Sequence, residues 1–552
     1  MKMIKNSLIL FFALFFACQV NAQEVLPLIP KPLKATKQIG SFMLSQQTQV
    51  VANSEVKQLA QYLQTELLRY QGLSIRTADK AAENYISLSL INNRNKKNAA
   101  WYQLAISSNK IEIKATQPEG LFAGISSLLQ LVRQQSVNKK VVALASWEIE
   151  DEPIYAWRGL MLDESRHFFG KEKVKQLLDW MAFYKLNKFH WHLTDQPGWR
   201  IEIKAFPKLT LVGGIGSHSD SLAKAQYYTQ EDIKEIVAYA AQRYIDVIPE
   251  IDMPGHATAA NKAYPEFSGG GSPKYPEFTF NPGKESTYQY LTQILREVDV
   301  LFPSQMIHIG ADEVHFGNQH WNKDEAVQSL MKSKNLKDLP AVEAYFVKRM
   351  ADSIKNLNNE ILAWDEIVSG TLSPEKTTVF WWRHDKPEIL KDALQKGYQV
   401  VLCPRLPLYF DFVQQDSHVV GRKWAGNFVP WQSVYQFPTK EITALPNANT
   451  LIRGIQANVW TEVIVDAQQL DYKIFPRIAA LAEAAWTPSQ LKDQTAFESR
   501  LKSHFKLFTA EGLYFFNPFN QQASPELLTP TQRKGLLPDN EAQTAAEKGT
   551  IK

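Results

Sequence analysis

Residues 306–316, MIHIGADEVHF, end an apolar run in two adjacent carboxylates, Asp312 and Glu313. Like charges at neighbouring positions repel, so near neutrality the pair is expected to keep one proton, giving an acid beside an anion. Other carboxylates fall at the ends of comparable apolar runs: Asp163, Asp195, Glu250 and Asp252, Asp365 and Glu366, and Glu462, with Arg158 and His256 among them. Trp364, Trp381, Trp382 and Trp460 accompany the acids. Ring faces that stack on C–H surfaces, mixed with carboxylates and a guanidinium that bond hydroxyls, suit a sugar. Asp163, Asp365 and Glu366 read equally well as helix caps or ion-pair partners. His256, after the Pro-Gly turn of DMPGH, reads as a site residue.

The HWH segment offers a rival chemistry. His190 and His192 alternate on a strand and share a face, which is how some metal-dependent barrel hydrolases begin a metal site. The later strand ends supply Trp, Asp, Tyr and Glu instead of the further His and bridging Lys that such a site needs. No metal or other cofactor is therefore expected, and both histidines are assigned to packing or to support of the site.

Residues so placed must be carried by a repeating frame. From Trp157 onward, eight short apolar runs recur: WRGLMLDESR, KFHWHLTD, YIDVIPEID, MIHIGADE, EILAWDE, TVFWW, YQVVLCP and IQANVWTE. Between the first two, Val174, Leu177, Leu178 and Met181 fall on one helical face. Eight strand-then-helix units predict an α/β fold, a (β/α)8 TIM barrel over residues 154–512, with its site at the C-terminal ends of the strands. The gap between the fifth and sixth strands is too short for an ordinary helix. Residues 23–153 alternate strand-like and helical runs without a cluster of reactive side chains, which predicts a small non-catalytic α+β domain before the barrel. The polar, Pro-bearing residues 513–552 are expected to form a loosely ordered tail.

Composition narrows the partners. The formal charge is +4, and Lys2 and Lys5 belong to a leader, which leaves +2, too little for a nucleic-acid-binding protein. Residues 1–22 combine a basic start, an apolar run and a Val20-x-Ala22 cleavage signal, and so predict an export signal peptide and a periplasmic or secreted protein. A lipid anchor at Cys18 is the less favoured alternative, because Phe15 and Phe16 precede it. No segment reaches the ~20 apolar residues of a membrane span. After cleavage Cys403 is the one cysteine left, which excludes an intramolecular disulfide.

The ordered motifs WRGLMLDESRHF, HWHLTDQPGWR, IPEIDMPGH, HIGADEVH and GIQANVWTE resemble those of glycoside hydrolase family 20, the β-N-acetylhexosaminidases. The resemblance runs from IPKP to RIAALAEAAWTP. It implies exo-acting hydrolysis of terminal β-linked N-acetylhexosamine, with the substrate's own 2-acetamido oxygen as nucleophile, a family exception to the two-carboxylate scheme. By residue-by-residue matching, Glu313 is implied as the acid and Asp312 as the group that orients the acetamido N–H, while Tyr409 would donate to its carbonyl. Arg158, Glu462 and Asp411 are implied at the outer hydroxyls, and Trp364, Trp382 and Trp460 at the walls. Asp195 and His256 resemble the polar network around the acid. Asp312 and Glu313, as neighbours in a strand, are expected to face opposite ways and so to serve different substrate atoms. Two positions depart from the family pattern: Gln196 stands where many members carry a second acid, and Phe437 where many carry a Trp expected to stack on the leaving sugar. A metal-dependent hydrolase and an inactive sugar-binding protein are the alternatives.

Overall fold

The computed structural model describes residues 26–80, 83–136, 140–530 and 532. The expected leader, with Cys18, and residues 533–552 of the expected tail lie outside them.

The first domain is one mixed sheet. Its strands are β1 (Lys34–Ser45), β2 (Gln49–Ala52), β3 (Arg76–Ala78), β4 (Tyr85–Leu90), β5 (Tyr102–Ile106), β6 (Lys110–Ala115) and β7 (Val141–Asp151), in the order β1-β7-β5-β6-β4-β2-β3. Alternation explains its sidedness: Ile111, Ile113 and Ala115 of β6 are buried, while the intervening Lys110, Glu112 and Lys114 are partly exposed. Helix Pro118–Arg133 covers the inner face and is buried from Gly120 to Arg133, because the barrel lies against its other side.

The second domain is a closed parallel barrel of β8 (Trp157–Asp163), β9 (Lys188–His192), β10 (Asp246–Met253), β11 (Met306–Gly310), β12 (Glu360–Trp364), β13 (Thr377–Trp381), β14 (Gln399–Leu402) and β15 (Ile452–Val459). Each of these strands coincides with one of the eight apolar runs, and β15 closes the ring on β8. The strands are buried on both faces, as parallel strands wrapped by helices must be. Between β12 and β13 a single 3₁₀ turn, Asp365–Ser369, replaces the helix. Among the described residues no helix is long and apolar enough to cross a membrane.

Arg158 belongs to the junction of the two domains and not to the sugar-facing rim. It is the second residue of β8, so it emerges at the N-terminal end of the barrel, about 16 Å of extended chain from Asp163. Its guanidinium donates to the carbonyls of Lys185 (2.8 Å) and Tyr155 (2.9 Å), lies 3.3 Å from Glu119 of the first domain, and covers the ring of Trp486 at 5.1 Å. Beside it, Asp151 accepts from Tyr102 (2.8 Å) and Trp486 (2.9 Å) and pairs with Lys185 at 3.3 Å.

The chain beyond 512 also departs from expectation. Residues 513–530 form a strap packed on the barrel, with Leu513, Phe516 and Ser524 buried. Its order comes from irregular bonds between side chains and backbone, which have no periodicity to read in a sequence: Asn517 N–H donates to Ser524 (2.8 Å), and Tyr472 donates to the Ser524 carbonyl (3.2 Å).

Arg158→Met removes the donor to these carbonyls and leaves Glu119 without its cation. Urea unfolding should show a loss of roughly 2–4 kcal/mol, with ligand binding at the opposite rim unchanged in the folded variant. An unaltered midpoint would mean the junction does not depend on this residue.

Candidate active site

At the C-terminal ends of the strands the chain builds a chain of alternating charge. Arg166, three residues past the end of β8, lies 2.8 Å from Asp195, which contacts both His192 (2.8 Å) and His256 (3.0 Å). His192 also meets Glu250 at 2.6 Å. With a carboxylate on each ring nitrogen, His192 is raised to about 10: burial opposes the charge, and Glu250 and Asp195 outweigh it. Asp195 is held well below the carboxylate range, burial being overcome by Arg166 and His256. Arg166 supplies the rim cation that had been expected of Arg158. The register of the motif carries the signal, since an arginine after the strand-ending Asp163 sits where barrel sites form and one at the strand's start does not.

Asp312 and Glu313 follow the end of β11 through a tight turn. Gly310, Ala311 and Glu313 have φ of +65°, +67° and +52°. A Cβ at 310 would come within 1.9 Å of Asp252 Oδ1, so the turn needs glycine there. Because the regular strand has already ended, the expected alternation fails. Both carboxylates approach one nitrogen: His256 Nε2 lies 3.6 Å from Asp312 and 3.7 Å from Glu313. They differ in depth instead, with side chains 13% and 32% exposed respectively. His256, itself at φ +55°, is raised to about 9, since Asp195 and Asp312 outweigh its burial. Asp312 is pushed up to about 7 by burial, against the pull of His256 and with the help of Glu313, Glu250 and Asp195. Burial and Asp312 raise Asp252 well above its usual range. Asp312, whose carboxyl is raised, is the deeper of the two side chains.

The walls are aromatic. Trp382 and Tyr409 are nearly parallel with centroids 6.4 Å apart, and Trp460 lies 6.0 Å from Tyr409 and 5.8 Å from Trp364. Trp364 donates to Glu250 (2.9 Å), which fixes its ring from below. Trp382 is set from two points: Asp365 accepts its backbone N–H (3.1 Å) and Glu366 its indole N–H (3.1 Å). Asp365 also pairs with Arg383 at 2.5 Å, so the cap-or-partner reading holds for it. Asp163 likewise accepts the backbone N–H groups of Ser165, Arg166 and Thr461. On the opposite side, Arg422 bridges Asp411 (3.2 Å) and Glu462 (2.5 Å). Glu462 is lowered to about 2, with Arg422 and Arg166 overcoming burial, whereas burial lifts Asp411 to about 7 despite Arg422.

The structure therefore gathers Asp195, His256, Asp312, Glu313, Trp364, Trp382, Tyr409, Asp411, Trp460 and Glu462 at one rim and leaves Arg158 out. Phe437 is also elsewhere: it is buried after helix Trp431–Gln436, on the outside of the barrel against helix Arg477–Trp486, and offers no face to a sugar. A ring at the rim is instead Trp424, stacked on Arg405 (3.9 Å), whose guanidinium is 4.9 Å from Trp382. Arg422, Trp424 and Glu343 went unread in the sequence because no apolar run ends near them. Glu343 of helix Leu339–Asn356 is raised to about 7 by burial and by Asp312.

Three clusters have the composition for a metal: His190, Glu250 and His308; His192, Asp195 and Asp252; and Asp252, His256 and Asp312. Glu250 is already committed to His190 (2.9 Å), His192 and Trp364, and Asp195 to Arg166, His192 and His256. These bonds tie the two carboxylates into a hydrogen-bonded network, while Asp252 Oδ1 and His308 Nε2 are buried without a hydrogen-bond partner. In the third, Asp312 faces a histidine raised to about 9, a charge that a metal would have to displace.

The chain matches known proteins over most of its length. The model of glycosyl hydrolase family 20, catalytic domain, matches residues 155–489, and that of domain 2 of the same family matches residues 25–152. The chain is 33% identical over 531 residues to a β-hexosaminidase of Porphyromonas gingivalis, covering 92% of this chain and 67% of that protein. Its structure resembles that of an exo-β-N-acetylglucosaminidase from Vibrio harveyi in complex with N-acetylglucosamine, with a TM-score of 0.81 and 32% identity over 90% of this chain and 79% of that one. A β-N-acetylhexosaminidase from Bacteroides fragilis gives a TM-score of 0.80 at 28% identity, covering 90% and 99% of the two chains.

The raised Asp312 has a measurable cost. A carboxyl with a higher pKa in the folded than in the unfolded chain contributes stability that is full below the unfolded value, ~3.9, and is lost as pH rises through about 7. Asp312→Asn, which carries no charge to bury, should unfold at a higher temperature than wild type at pH 8, with the difference vanishing near pH 4. Equal melting temperatures at pH 8 would mean that Asp312 is not held against its ionisation.

Proposed function

The chain belongs to glycosyl hydrolase family 20, and from that premise we propose that it is an exo-acting β-N-acetylhexosaminidase that hydrolyses terminal β-linked N-acetylglucosamine or N-acetylgalactosamine through the substrate's own acetamido group. The observation that carries the reading is the difference in depth between two carboxylates that share His256, Asp312 with its side chain 13% exposed and Glu313 with 32%, at a rim that also carries Trp364, Trp382, Tyr409 and Trp460.

In this mechanism Glu313 gives its proton to the glycosidic oxygen as the bond to the anomeric carbon breaks, and the acetamido oxygen attacks that carbon. Ionised Asp312 accepts the acetamido N–H and balances the positive charge of the oxazolinium ring. The charged His256 beside it favours that anion and supports the assignment. Tyr409 would donate to the acetamido oxygen and hold it toward the anomeric carbon, and the tryptophans would exclude water from the ring. Glu313, now a carboxylate, takes a proton from the water that opens the ring, which restores the configuration and the resting acid. Arg166, Asp411 and Glu462 would hold the outer hydroxyls. No enzyme nucleophile and no cofactor enter this scheme. The basic and apolar pattern of residues 1–22 supports a site of action outside the cytoplasm.

Two measurements test it. An aryl 2-acetamido-2-deoxy-β-glucoside should turn over at least several orders of magnitude faster than the matching β-glucoside, because an intramolecular nucleophile can contribute up to ~7–11 kcal/mol. Comparable rates, or a sugar ester trapped on an enzyme carboxylate, would replace this mechanism with an ordinary two-carboxylate one. Glu313→Gln should lose about 10²–10⁴ in rate on unactivated glycosides, and less on aryl glycosides whose leaving groups need little protonation. A loss independent of the leaving group in the glycosylation step would remove Glu313 from the acid role.

A further inference from the structure

The C-terminal strap reaches the two loops that carry the outer acids. Glu526 accepts the backbone N–H groups of Val419 (2.7 Å) and Val420 (3.0 Å), and Lys473 lies 3.8 Å from the same carboxylate while donating to the Val420 carbonyl. The side chains of Lys473 and Glu526 are 1% and 11% exposed, so this is a buried ion pair with its hydrogen bonds made, and loss of one partner strands the other. Two residues on, Arg422 extends from the same piece of backbone to bridge Asp411 and Glu462. The connection between them is stiff. Arg422 N–H donates to the Asp411 carbonyl (3.1 Å), Val413 N–H donates to the Arg422 carbonyl (3.1 Å), and Gly421 sits at φ +130° where a Cβ would lie 2.4 Å from that Asp411 carbonyl. The strap holds the second loop as well: Gln532 donates to the carbonyl of Val463, next to Glu462, and accepts from Gln469 at 2.7 Å.

We propose that Glu526 is a positioning residue of the site, fixing the backbone of Val419 and Val420 so that Arg422 stands between Asp411 and Glu462 and aims both carboxylates at the sugar's outer hydroxyls. The inference rests on the functional reading above, which places those hydroxyls there. Glu526 touches no reacting atom, so its removal should affect recognition of the outer hydroxyls and spare the chemical step.

The test uses the full chain with Glu526→Ala and the isosteric Glu526→Gln, whose amide oxygen still accepts a bond without a charge for Lys473. Hydrogen exchange of the segment containing Val419 and Val420 should quicken in both variants. With the aryl 2-acetamido-2-deoxy-β-glucoside, Glu526→Ala should raise KM about tenfold with kcat within about twofold, and Glu526→Gln should fall between it and wild type. With counterparts lacking the C4 or the C6 hydroxyl, the KM penalty should shrink toward none, since the misaimed carboxylates then have less to hold. Faster exchange with unchanged KM would make the strap a stability element only. A fall in kcat common to all the glycosides would mark general damage, and unchanged exchange would show that Glu526 does not hold the loop; each overturns the positioning role alone. A wild-type protein that fails to hydrolyse the acetamido glycoside overturns the functional reading and, with it, the roles given to Asp411 and Glu462.

Discussion

The contact between Arg166 and Asp195 at 2.8 Å is the one on which the rest of the rim depends. Several carboxylates point into one poorly solvated mouth, and each raises the energy of the next. Arg166 is the permanently charged group on that side, and its charge is passed on through Asp195, which can then keep both His192 and His256 protonated. Those two imidazolium groups face Glu250 on one side and the Asp312–Glu313 pair on the other. Remove the first cation and the alternation of signs has no starting point. The barrel supplies the rest of the constraint by bringing β8, β9, β10 and β11 to neighbouring positions, so that residues 166, 195, 256 and 312, far apart in sequence, become consecutive in space.

That alternation explains why the free site leaves Asp312 near 7 and not at an ordinary carboxylate value. His256 divides its charge among Asp195, Asp312 and Glu313, so it lowers the cost of an anion at the floor without abolishing it. A ligand that brings an N–H to Asp312 would add the missing donor. Ionisation of the floor is thereby coupled to ligand binding, and a charged Asp312 costs more than a neutral group of the same shape. The left-handed residues before and at Glu313 belong to the same economy of space, since they turn two consecutive side chains toward one histidine where an extended strand would have parted them.

Much of the frame could be read from sequence because a parallel barrel writes itself as short apolar runs at helical intervals. The eight runs each overlap a strand, the strands beginning at 157, 188, 246, 306, 360, 377, 399 and 452, and even the missing fifth helix is legible as a gap. The clustering of Asp312, Glu313 and the tryptophans followed from the rule that barrel sites sit at C-terminal strand ends. What could not be read was finer than an element. Arg158 and Arg166 are in one motif, and only their register against the strand decides which end each occupies. A strand period puts Asp312 and Glu313 on opposite faces, but the strand ends at Gly310, before either residue. Phe437 and Trp424 both lie in a long irregular connection, where no periodicity assigns an inner or an outer side.

The strap shows the same limit from the other direction. Polar, Pro-bearing sequence lacks the apolar surface to fold by itself, which is why residues 513–552 read as a loosely ordered tail, although 513–530 are packed on the barrel. Their order is borrowed. Glu526 and Gln532 supply acceptors and donors to loops whose own backbone groups have no strand or helix to pair with. Long connections after β14 and β15 need such outside partners if they are to hold Asp411, Arg422 and Glu462 still. A segment that carries no catalytic side chain thus becomes part of the site through the backbone that it completes, and its composition reflects the loops it serves more than any fold of its own.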